Sequence, residues 1–422
     1  MTRSKSMIVN WIAVFSLLII LTIAYIDRVN VSVLITNHDF LNFFNIAHDR
    51  VAQGWLMTAF LVAYGIAAFI LTPLYERFLG VKIGLLISVV IWGVMTIIAP
   101  ITSVFLLLLI IRVILGLSEG PLFSLNTMFV SQVFPDSHRG KANAVWALGV
   151  SVGLAVGFPF ISYLVYHFSW QSSYVALGIL NLLIGMPLIL IFINPNKHCL
   201  TKENHPDPKT QKKLGDIVKL ALKTPGLLWL IIWEIVNTSY LWGTSSWLPS
   251  YLLDARGFSI EKMGILASLP FVVSLFSKLF SGYLIDHIKR KSVMWIIGGL
   301  GCLISILIAI TTKSPIVSAV SIIVANGFWG IQGPVLPTTV QLLSRKESVG
   351  STYGIINGTG NLVSAFVPII MGALISISFS WGFALLIGAQ FIAVICGIRM
   401  IFLIKRLNRV KVQESDAKPV QL

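Results

Sequence analysis

The fourth hydrophobic segment of the chain, residues 104–131, reads VFLLLLIIRVILGLSEGPLFSLNTMFVS. Only Arg112 and Glu119 carry a charge in it. About 20 consecutive apolar residues are enough for one helix to span the hydrocarbon core of a bilayer. The segment therefore predicts a transmembrane helix that holds one ion of each sign. Ions at such positions indicate a functional site.

The whole chain has the composition of this segment. Its 422 residues are 56% hydrophobic and 11% charged, against about 25% charged in soluble proteins. The mean hydropathy is +0.88. This excludes a soluble enzyme with a single membrane anchor, because too little polar surface remains to cover a core. We predict twelve spans, at residues 9–33, 51–74, 83–101, 104–131, 140–166, 171–193, 226–253, 262–285, 292–312, 315–343, 349–375 and 378–404.

One long polar stretch divides the chain. Residues 194–225 hold seven lysines, with Pro206 and Pro208 among them, which is typical of a solvated linker. The prediction is an all-α integral membrane protein with an N-terminal six-helix bundle in residues 1–193. The linker leads to a C-terminal six-helix bundle in residues 226–404, and residues 405–422 form a tail.

The basic residues predict how the chain is oriented. The net charge is +15, from 31 Lys and Arg against 16 Asp and Glu. With both termini inside the cell, 24 of the 31 bases fall in cytoplasmic segments, four in outer loops and three within spans. This asymmetry follows the positive-inside rule and predicts a multi-pass protein of the inner membrane. It explains the basic excess without a nucleic-acid partner.

Six charged side chains lie inside predicted spans, away from the span ends. Each costs about 2.5–3.5 kcal/mol at mid-membrane, so they are expected to pair, to face water or to lie near a membrane surface. The six are Asp27, Arg28, Arg112, Glu119, Glu234 and Lys278.

Their spacing predicts where some of them point. Arg112 and Glu119 are seven residues apart, so they share one helix face about 10.5 Å apart and do not touch. Asp27 and Arg28 are adjacent and point about 100° apart, one toward a cavity and the other toward a neighbouring helix. Lys278 is expected to extend toward the inner membrane surface.

This set suits transport of an anion. A guanidinium binds a carboxylate through two hydrogen bonds, and a carboxyl group shielded from water takes up a proton more readily. The seven histidines lie in loops or at span ends, so carboxylates are left as proton carriers. The alternative is an ion-pair network that only locks helices together. For Glu234 the structural and functional interpretations stay open.

Other functional classes lack their motifs. The three cysteines are far apart and fit neither a disulfide framework nor a metal site. No H-E-x-x-H motif, Cys/His cluster or nucleotide-binding loop is present, so we expect no enzyme, no metal and no cofactor. The short loops leave no room for a signalling domain, which makes a membrane sensor a remote alternative.

At these residues the chain resembles the major facilitator superfamily, and within it the anion:cation symporter family. Tyr25-Ile-Asp27-Arg28-Val-Asn30 resembles the first-helix signature, and Arg112 to Pro121 resembles the fourth-helix signature. Gly282, Asp286, Arg290 and Lys291 resemble the superfamily's loop motif between helices eight and nine. Further matches are Phe134-Pro135 and Arg139-Gly140, and Gly354, Asn357, Gly360, Asn361 and Pro368 in the eleventh helix.

The resemblance implies two six-helix bundles with a substrate site between them at mid-membrane. It implies proton-coupled uptake of a small organic anion, such as a sugar acid, by a monomer that uses alternating access. Arg28 and Arg112 would bind the substrate carboxylate, and Asp27 and Glu119 would handle the coupling proton. Tyr25, Tyr64, Asn357 and Asn361 would hydrogen-bond the substrate, and the loop motif would serve as a gate.

The sequence departs from the family pattern after the second span. There Glu76 replaces the usual aspartate, and one extra residue precedes Gly80. The direction of transport also stays open, because a proton-driven exporter of an acidic metabolite or antibiotic could use the same carboxylates. The identity of the substrate and the choice between proton and sodium are not fixed by these residues.

Overall fold

The computed structural model describes residues 3–194, 214–285, 291–345 and 348–416. These residues form helices and connecting turns, and none of them lies in a β-strand. The α-helices cover Arg3–Leu34, His38–Phe43, Arg50–Leu74, Gly80–Ile98, Phe105–Glu119, Leu122–Val133, Asp136–His167, Trp170–Leu180, Met186–Phe192, Leu214–Leu222, Leu227–Ser250, Ile260–Ile285, Val293–Thr311, Pro315–Gln332, Val335–Leu343, Val349–Ser364, Val367–Ile375 and Phe379–Asp416.

Eleven helical stretches in the described ranges are long and apolar enough to cross a membrane. They coincide with eleven of the twelve predicted spans. The remaining one, span 7, is the 24-residue helix Leu227–Ser250, which is more polar and largely buried within the protein. A helix enclosed by its neighbours does not need the apolar surface that a lipid-facing helix needs. The prediction of an all-α membrane protein with twelve transmembrane helices is confirmed.

The two halves repeat one packing arrangement. Span 1 packs on span 5, span 2 on span 4 and span 3 on span 6. In the second half, span 7 packs on span 11, span 8 on span 10 and span 9 on span 12. Each contact recurs six spans later, which identifies two six-helix bundles. The predicted boundaries of the linker lie partly outside the described residues; its described part includes the helix Leu214–Leu222.

The halves meet closely at one end of the bundle, which we call the closed end. There Arg50 forms an ion pair with Asp254 at 2.8 Å. Spans 5 and 8 meet nearby, where the rings of Phe158 and Phe271 stack with centroids 5.7 Å apart. A Cβ atom on Gly54 of span 2 would lie 2.8 Å from the Ile369 Cα of span 11, so only glycine permits this approach. The opposite end, at which span 1 begins and span 12 extends to Asp416, is called the linker end.

Spans 4 and 10 are interrupted at corresponding places. Span 4 breaks at Gly120-Pro121 and span 10 at Gly333-Pro334. Proline lacks the N–H group that would continue the helical hydrogen bonding, so each span consists of two helical pieces. In span 4 the break follows directly after Glu119.

The extra residue before Gly80 is accommodated in the backbone. Residues Tyr75–Leu79 form a π-helical segment, the form that a helix takes when it absorbs an inserted residue. Gly80 then has φ +68°, a conformation that glycine adopts without steric cost. The chain reverses here from span 2 into span 3.

Candidate functional site

Arg28 and Glu119 form an ion pair between spans 1 and 4. The Arg28 Nε donates a hydrogen bond to Glu119 Oε2 at 3.0 Å, and Arg28 Nη2 lies 3.0 Å from the same oxygen. Arg28 is 3% exposed and Glu119 is 1% exposed. Among the described residues, Arg28 Nη1 and Glu119 Oε1 have no hydrogen-bond partner. The pair therefore keeps unused donor and acceptor capacity in a buried position.

Aromatic rings surround the Arg28 guanidinium. Its Cζ lies 4.3 Å from the centroid of the Tyr25 ring and 4.7 Å from that of Tyr64. Phe60 follows at 5.3 Å and Trp242, from the other half, at 5.9 Å. A cation over ring faces is attracted by the negative potential of the rings, so these contacts stabilise the position of the guanidinium between them.

The local sequence explains how these groups come together. Tyr25 and Arg28 are three residues apart on a helix and so share a face. Glycine at position 120 lets span 4 approach span 2, because a Cβ atom there would lie 2.7 Å from the Tyr64 carbonyl oxygen. Glu119 is thereby brought beside Tyr64 and within reach of Arg28.

Asp27 and Arg112 lie in a second group inside the N-terminal half. Asp27 Oδ2 accepts a hydrogen bond from Trp92 Nε1 at 3.1 Å. Arg112 Nε donates to the Leu56 carbonyl oxygen at 2.9 Å, and its Cζ lies 4.6 Å from the centroid of the Phe60 ring. Asp27 and Arg28 thus diverge, as adjacent helical residues should. Both Asp27 and Arg112 are 1% exposed, and neither belongs to the Arg28–Glu119 pair.

The two arginines share a neighbour without sharing a carboxylate. The ring of Phe60 contacts the guanidinium groups of both Arg28 and Arg112. Arg112 and Glu119 do not form an ion pair, in agreement with their separation along span 4. The fork of Arg112 is directed at the backbone of span 2. Its predicted role as a substrate ligand stays a prediction.

A chain of hydrogen bonds in the C-terminal half leads toward Arg28. Glu234 Oε1 of span 7 accepts from Asn357 Nδ2 of span 11 at 3.1 Å. The Asn361 Nδ2 donates to the Asn357 carbonyl oxygen at 3.0 Å, and Trp242 Nε1 donates to Asn361 Oδ1 at 3.4 Å. The Trp242 ring is the one that lies beside Arg28. The predicted ligands Asn357 and Asn361 are therefore linked to Glu234 on one side and to Arg28 on the other.

Lys278 does not extend toward the membrane surface as expected from the sequence. Its Nζ lies over the ring of Trp329 in span 10, 4.5 Å from the centroid. Side chains on a helix lean toward its N-terminus, and span 8 begins at the closed end. The lysine is therefore directed back into the bundle, away from the nearer membrane surface.

The predicted gate motif is only partly described. Gly282 lies in the last turn of the helix Ile260–Ile285, in open surroundings, since a Cβ atom there would meet no atom within 4 Å. Lys291 lies in the turn before span 9. Asp286 and Arg290 lie outside the described residues. A gating role for this motif stays a prediction.

Sequence reasoning missed the aromatic residues that hold the charged groups. Trp92 hydrogen-bonds Asp27, Phe60 lies on two guanidinium groups, and Trp242 connects the two halves. Aromatic residues make up 11% of the chain, and their sequence positions do not distinguish these three from the others. Within the described ranges, no group of three or more His, Cys, Asp or Glu side chains could hold a metal ion.

The sequence profile of the Major Facilitator Superfamily matches residues 17–368. The chain belongs to this superfamily. It is accordingly a membrane transporter and not an enzyme, as the sequence predicted.

Relatives and solved structures agree with this assignment. The chain is 27% identical, over 99% of its length and 96% of the relative, to a probable galactarate/D-glucarate transporter of Bacillus subtilis (strain 168). It is 25% identical to a hexuronate transporter of the same strain, covering 83% of this chain and 85% of the relative. A bacterial homologue of the human lysosomal transporter Spinster, in an inward-facing and unoccupied conformation, superposes with TM-score 0.80 at 15% identity, over 94% of this chain and 97% of that chain.

Proposed function

We propose that the protein takes up a sugar acid, such as a hexonate, hexuronate or related carboxylate, together with protons. Transport would follow alternating access of the two bundles, in a monomer without a cofactor other than the coupling proton. Relatives named as galactarate/D-glucarate and hexuronate transporters support the substrate class. The Arg28–Glu119 pair is the observation that supports both the anionic substrate and the proton coupling.

The pair couples the binding of substrate to the binding of a proton, because substrate and Glu119 compete for Arg28. A substrate carboxylate that binds the Arg28 fork replaces Glu119 as its partner, because both are anions that use the same donors. Glu119, buried and deprived of its counterion, then favours its protonated form. Binding of the anion and uptake of a proton by Glu119 are thereby coupled, and the loaded site carries no additional charge.

The remaining residues would take supporting roles. Tyr25 and Tyr64 present hydroxyl groups beside Arg28, and Asn357 and Asn361 present amides from the opposite half. Asp27 would serve as a second proton carrier, and the nearby Arg112 guanidinium would stabilise its charged form. Arg112 would therefore act on coupling through Asp27 in addition to any contact with substrate.

The charge distribution supports a direction of opening. By the positive-inside rule, the basic residues favour a cytoplasmic location of the linker end. The closed end, with the Arg50–Asp254 pair, then lies on the outer side of the inner membrane. We propose that the structure represents an inward-facing state, in which protons leave Glu119 and Asp27 toward the more alkaline cytoplasm.

Glu119→Gln tests the coupling. In proteoliposomes the variant should retain counterflow exchange of D-glucarate but lose accumulation driven by a pH gradient, because glutamine cannot carry the proton. Glu261→Gln, at an exposed position in the first turn of span 8, is the matched control and should behave as wild type. Undiminished proton-driven uptake by Glu119→Gln would refute the proposed role of Glu119. Accumulation that occurs only in everted vesicles would show that the protein is an exporter.

A further inference from the structure

We propose that Lys278 binds a second carboxylate of the substrate, so that the preferred ligand is a linear sugar diacid held at one end by Arg28 and at the other by Lys278. This inference rests on the proposed transport of sugar acids and specifies the substrate class within it. It assigns a role to an intramembrane charge that the coupling mechanism does not use.

Lys278 is a cation without a counterion. In the described part of the chain no carboxylate lies within 4 Å of its Nζ, which lies over the face of the Trp329 ring. The carboxylate of Glu234 is occupied by the amide of Asn357. A lone ammonium inside a membrane costs about 2.5–3.5 kcal/mol unless it meets water or an anion. An anion that binds to Lys278 would offset this cost.

The side chain points into the protein. Lys278 is only half-buried, so it borders accessible space. The large exposed side chains of this part of span 8 lie on the opposite face of the helix, which is the face toward lipid. They are Phe276, Leu279, Phe280 and Tyr283.

Three residues spaced seven apart on span 8 indicate that Lys278 faces span 5 of the other half. Gly264 and Phe271 precede Lys278 by fourteen and seven residues, so the three lie near one face of the helix. A Cβ atom on Gly264 would lie 2.7 Å from the Ser162 Cβ in the other half, and the Phe271 ring stacks on Phe158 of that half. Lys278 is the next residue of this stripe toward the linker end. It therefore lies where spans 5 and 8 continue beyond their contact at the closed end.

Span 7 relates Lys278 to Arg28. The ring of Trp329 that lies under Lys278 donates its Nε1–H to the Asn237 carbonyl oxygen of span 7 at 3.3 Å. Five residues further along span 7, Trp242 lies beside Arg28. Five residues advance about 7.5 Å along a helix axis. Arg28 of the N-terminal bundle and Lys278 of the C-terminal bundle thus lie near two successive positions along span 7.

The charges favour a dianion over a monoanion. When a substrate carboxylate replaces Glu119 at Arg28 and Glu119 takes up a proton, the substrate carboxylate neutralises the charge of Arg28. The ammonium of Lys278 remains, and only a ligand with a second negative charge neutralises it. A ligand anchored to both bundles also draws them together, which alternating access requires.

A matched pair of ligands tests this inference. D-Glucarate and D-gluconate differ at one end, where a carboxylate in the first is a hydroxymethyl group in the second. Dissociation constants are measured by titration calorimetry on the purified full-length protein. Wild type should bind D-glucarate roughly tenfold or more tightly than D-gluconate. Lys278→Gln should weaken D-glucarate binding to within about threefold of D-gluconate, leave D-gluconate binding unchanged and abolish the preference.

Two further variants complete the experiment. Lys278→Arg should keep the preference, and Lys262→Gln should match wild type, since it removes an equal charge from an exposed position on the same helix. Equal binding of both ligands by wild type would overturn the inference and leave the proposed function standing. So would a Lys278→Gln variant that loses affinity for both ligands equally. If folded wild type bound and transported neither of these acids nor the hexuronate D-glucuronate, the proposed function itself would fail. Should Lys278→Gln not fold, the preference in wild type and in Lys278→Arg still decides the matter.

Discussion

The competition between Glu119 and substrate for Arg28 makes a quantitative prediction about binding. In the empty protein, Glu119 accepts a charged hydrogen bond from Arg28 at 3.0 Å in a site from which water is nearly excluded. Such a bond contributes about 1.5–3 kcal/mol, against about 0.5–1.5 kcal/mol for a neutral one. Glu119→Gln replaces this charged hydrogen bond with a neutral one. A substrate that displaces residue 119 from Arg28 then loses roughly 1 kcal/mol less binding free energy. At alkaline pH the variant should therefore bind a sugar acid roughly fivefold more tightly than wild type.

The same reasoning predicts the pH dependence. Substrate binding in wild type is accompanied by protonation of Glu119, so affinity should rise as the pH falls, by up to about tenfold per pH unit for one proton. Glu119→Gln should lose the part of this pH dependence that Glu119 contributes, and its affinity at alkaline pH should lie closer to the acidic limit of wild type. The assay is titration calorimetry with D-glucarate from about pH 6 to about pH 8, in two buffers of different ionisation enthalpy that report the protons taken up. Weaker binding by the variant at alkaline pH, or an unchanged pH dependence, would refute the reasoning.

Three further predictions follow from the contacts of single residues. Arg28→Lys keeps the charge but loses the planar fork that contacts Tyr25 and Tyr64. Affinity for D-glucarate, measured by calorimetry, should therefore fall roughly tenfold to a hundredfold, while the melting temperature stays near that of wild type. Undiminished affinity would contradict this prediction. Gly120→Ala should destabilise the protein by about 1–3 kcal/mol, because the added Cβ meets the span 2 backbone. The control Gly354→Ala, whose added Cβ meets no atom within 4 Å, should melt like wild type. Equal melting temperatures of the two variants would contradict this packing. A double-mutant cycle of Arg50→Gln and Asp254→Asn should give a coupling free energy of about 0.2–1 kcal/mol for unfolding. This coupling should weaken with salt, since both side chains are partly exposed. A coupling insensitive to salt would show that the pair is not a surface contact.

The transmembrane character of the chain follows from the sequence because it depends on local composition. A run of apolar residues long enough to span the bilayer must form a helix, since only a helix satisfies its own backbone hydrogen bonds in lipid. Span 7 is instructive here. Residues 226–253 are predicted as a span from their apolar character, and most polar side chains of the helix Leu227–Ser250 are buried among other spans.

The candidate site was predictable in part. Charged residues inside apolar segments stand out in any sequence, so Arg28 and Glu119 could be named from their positions alone. Their partners could not, because the two residues are 91 positions apart and many pairings satisfied the charge balance. The expectation for Lys278 was wrong for a related reason. The direction of a side chain depends on which way its helix runs and on which helices surround it.

Local sequence is enough to establish that this chain forms membrane-spanning helices, how many there are, and which side chains carry charge into the membrane. These properties follow from the cost of exposing polar groups to lipid, which acts on each segment separately. The packing of the helices, in contrast, establishes that Arg28 pairs with Glu119 while Asp27 turns toward Trp92. It also links Glu234 through Asn357, Asn361 and Trp242 to the opposite half. Such partners are set by close packing between distant helices, which no local pattern records.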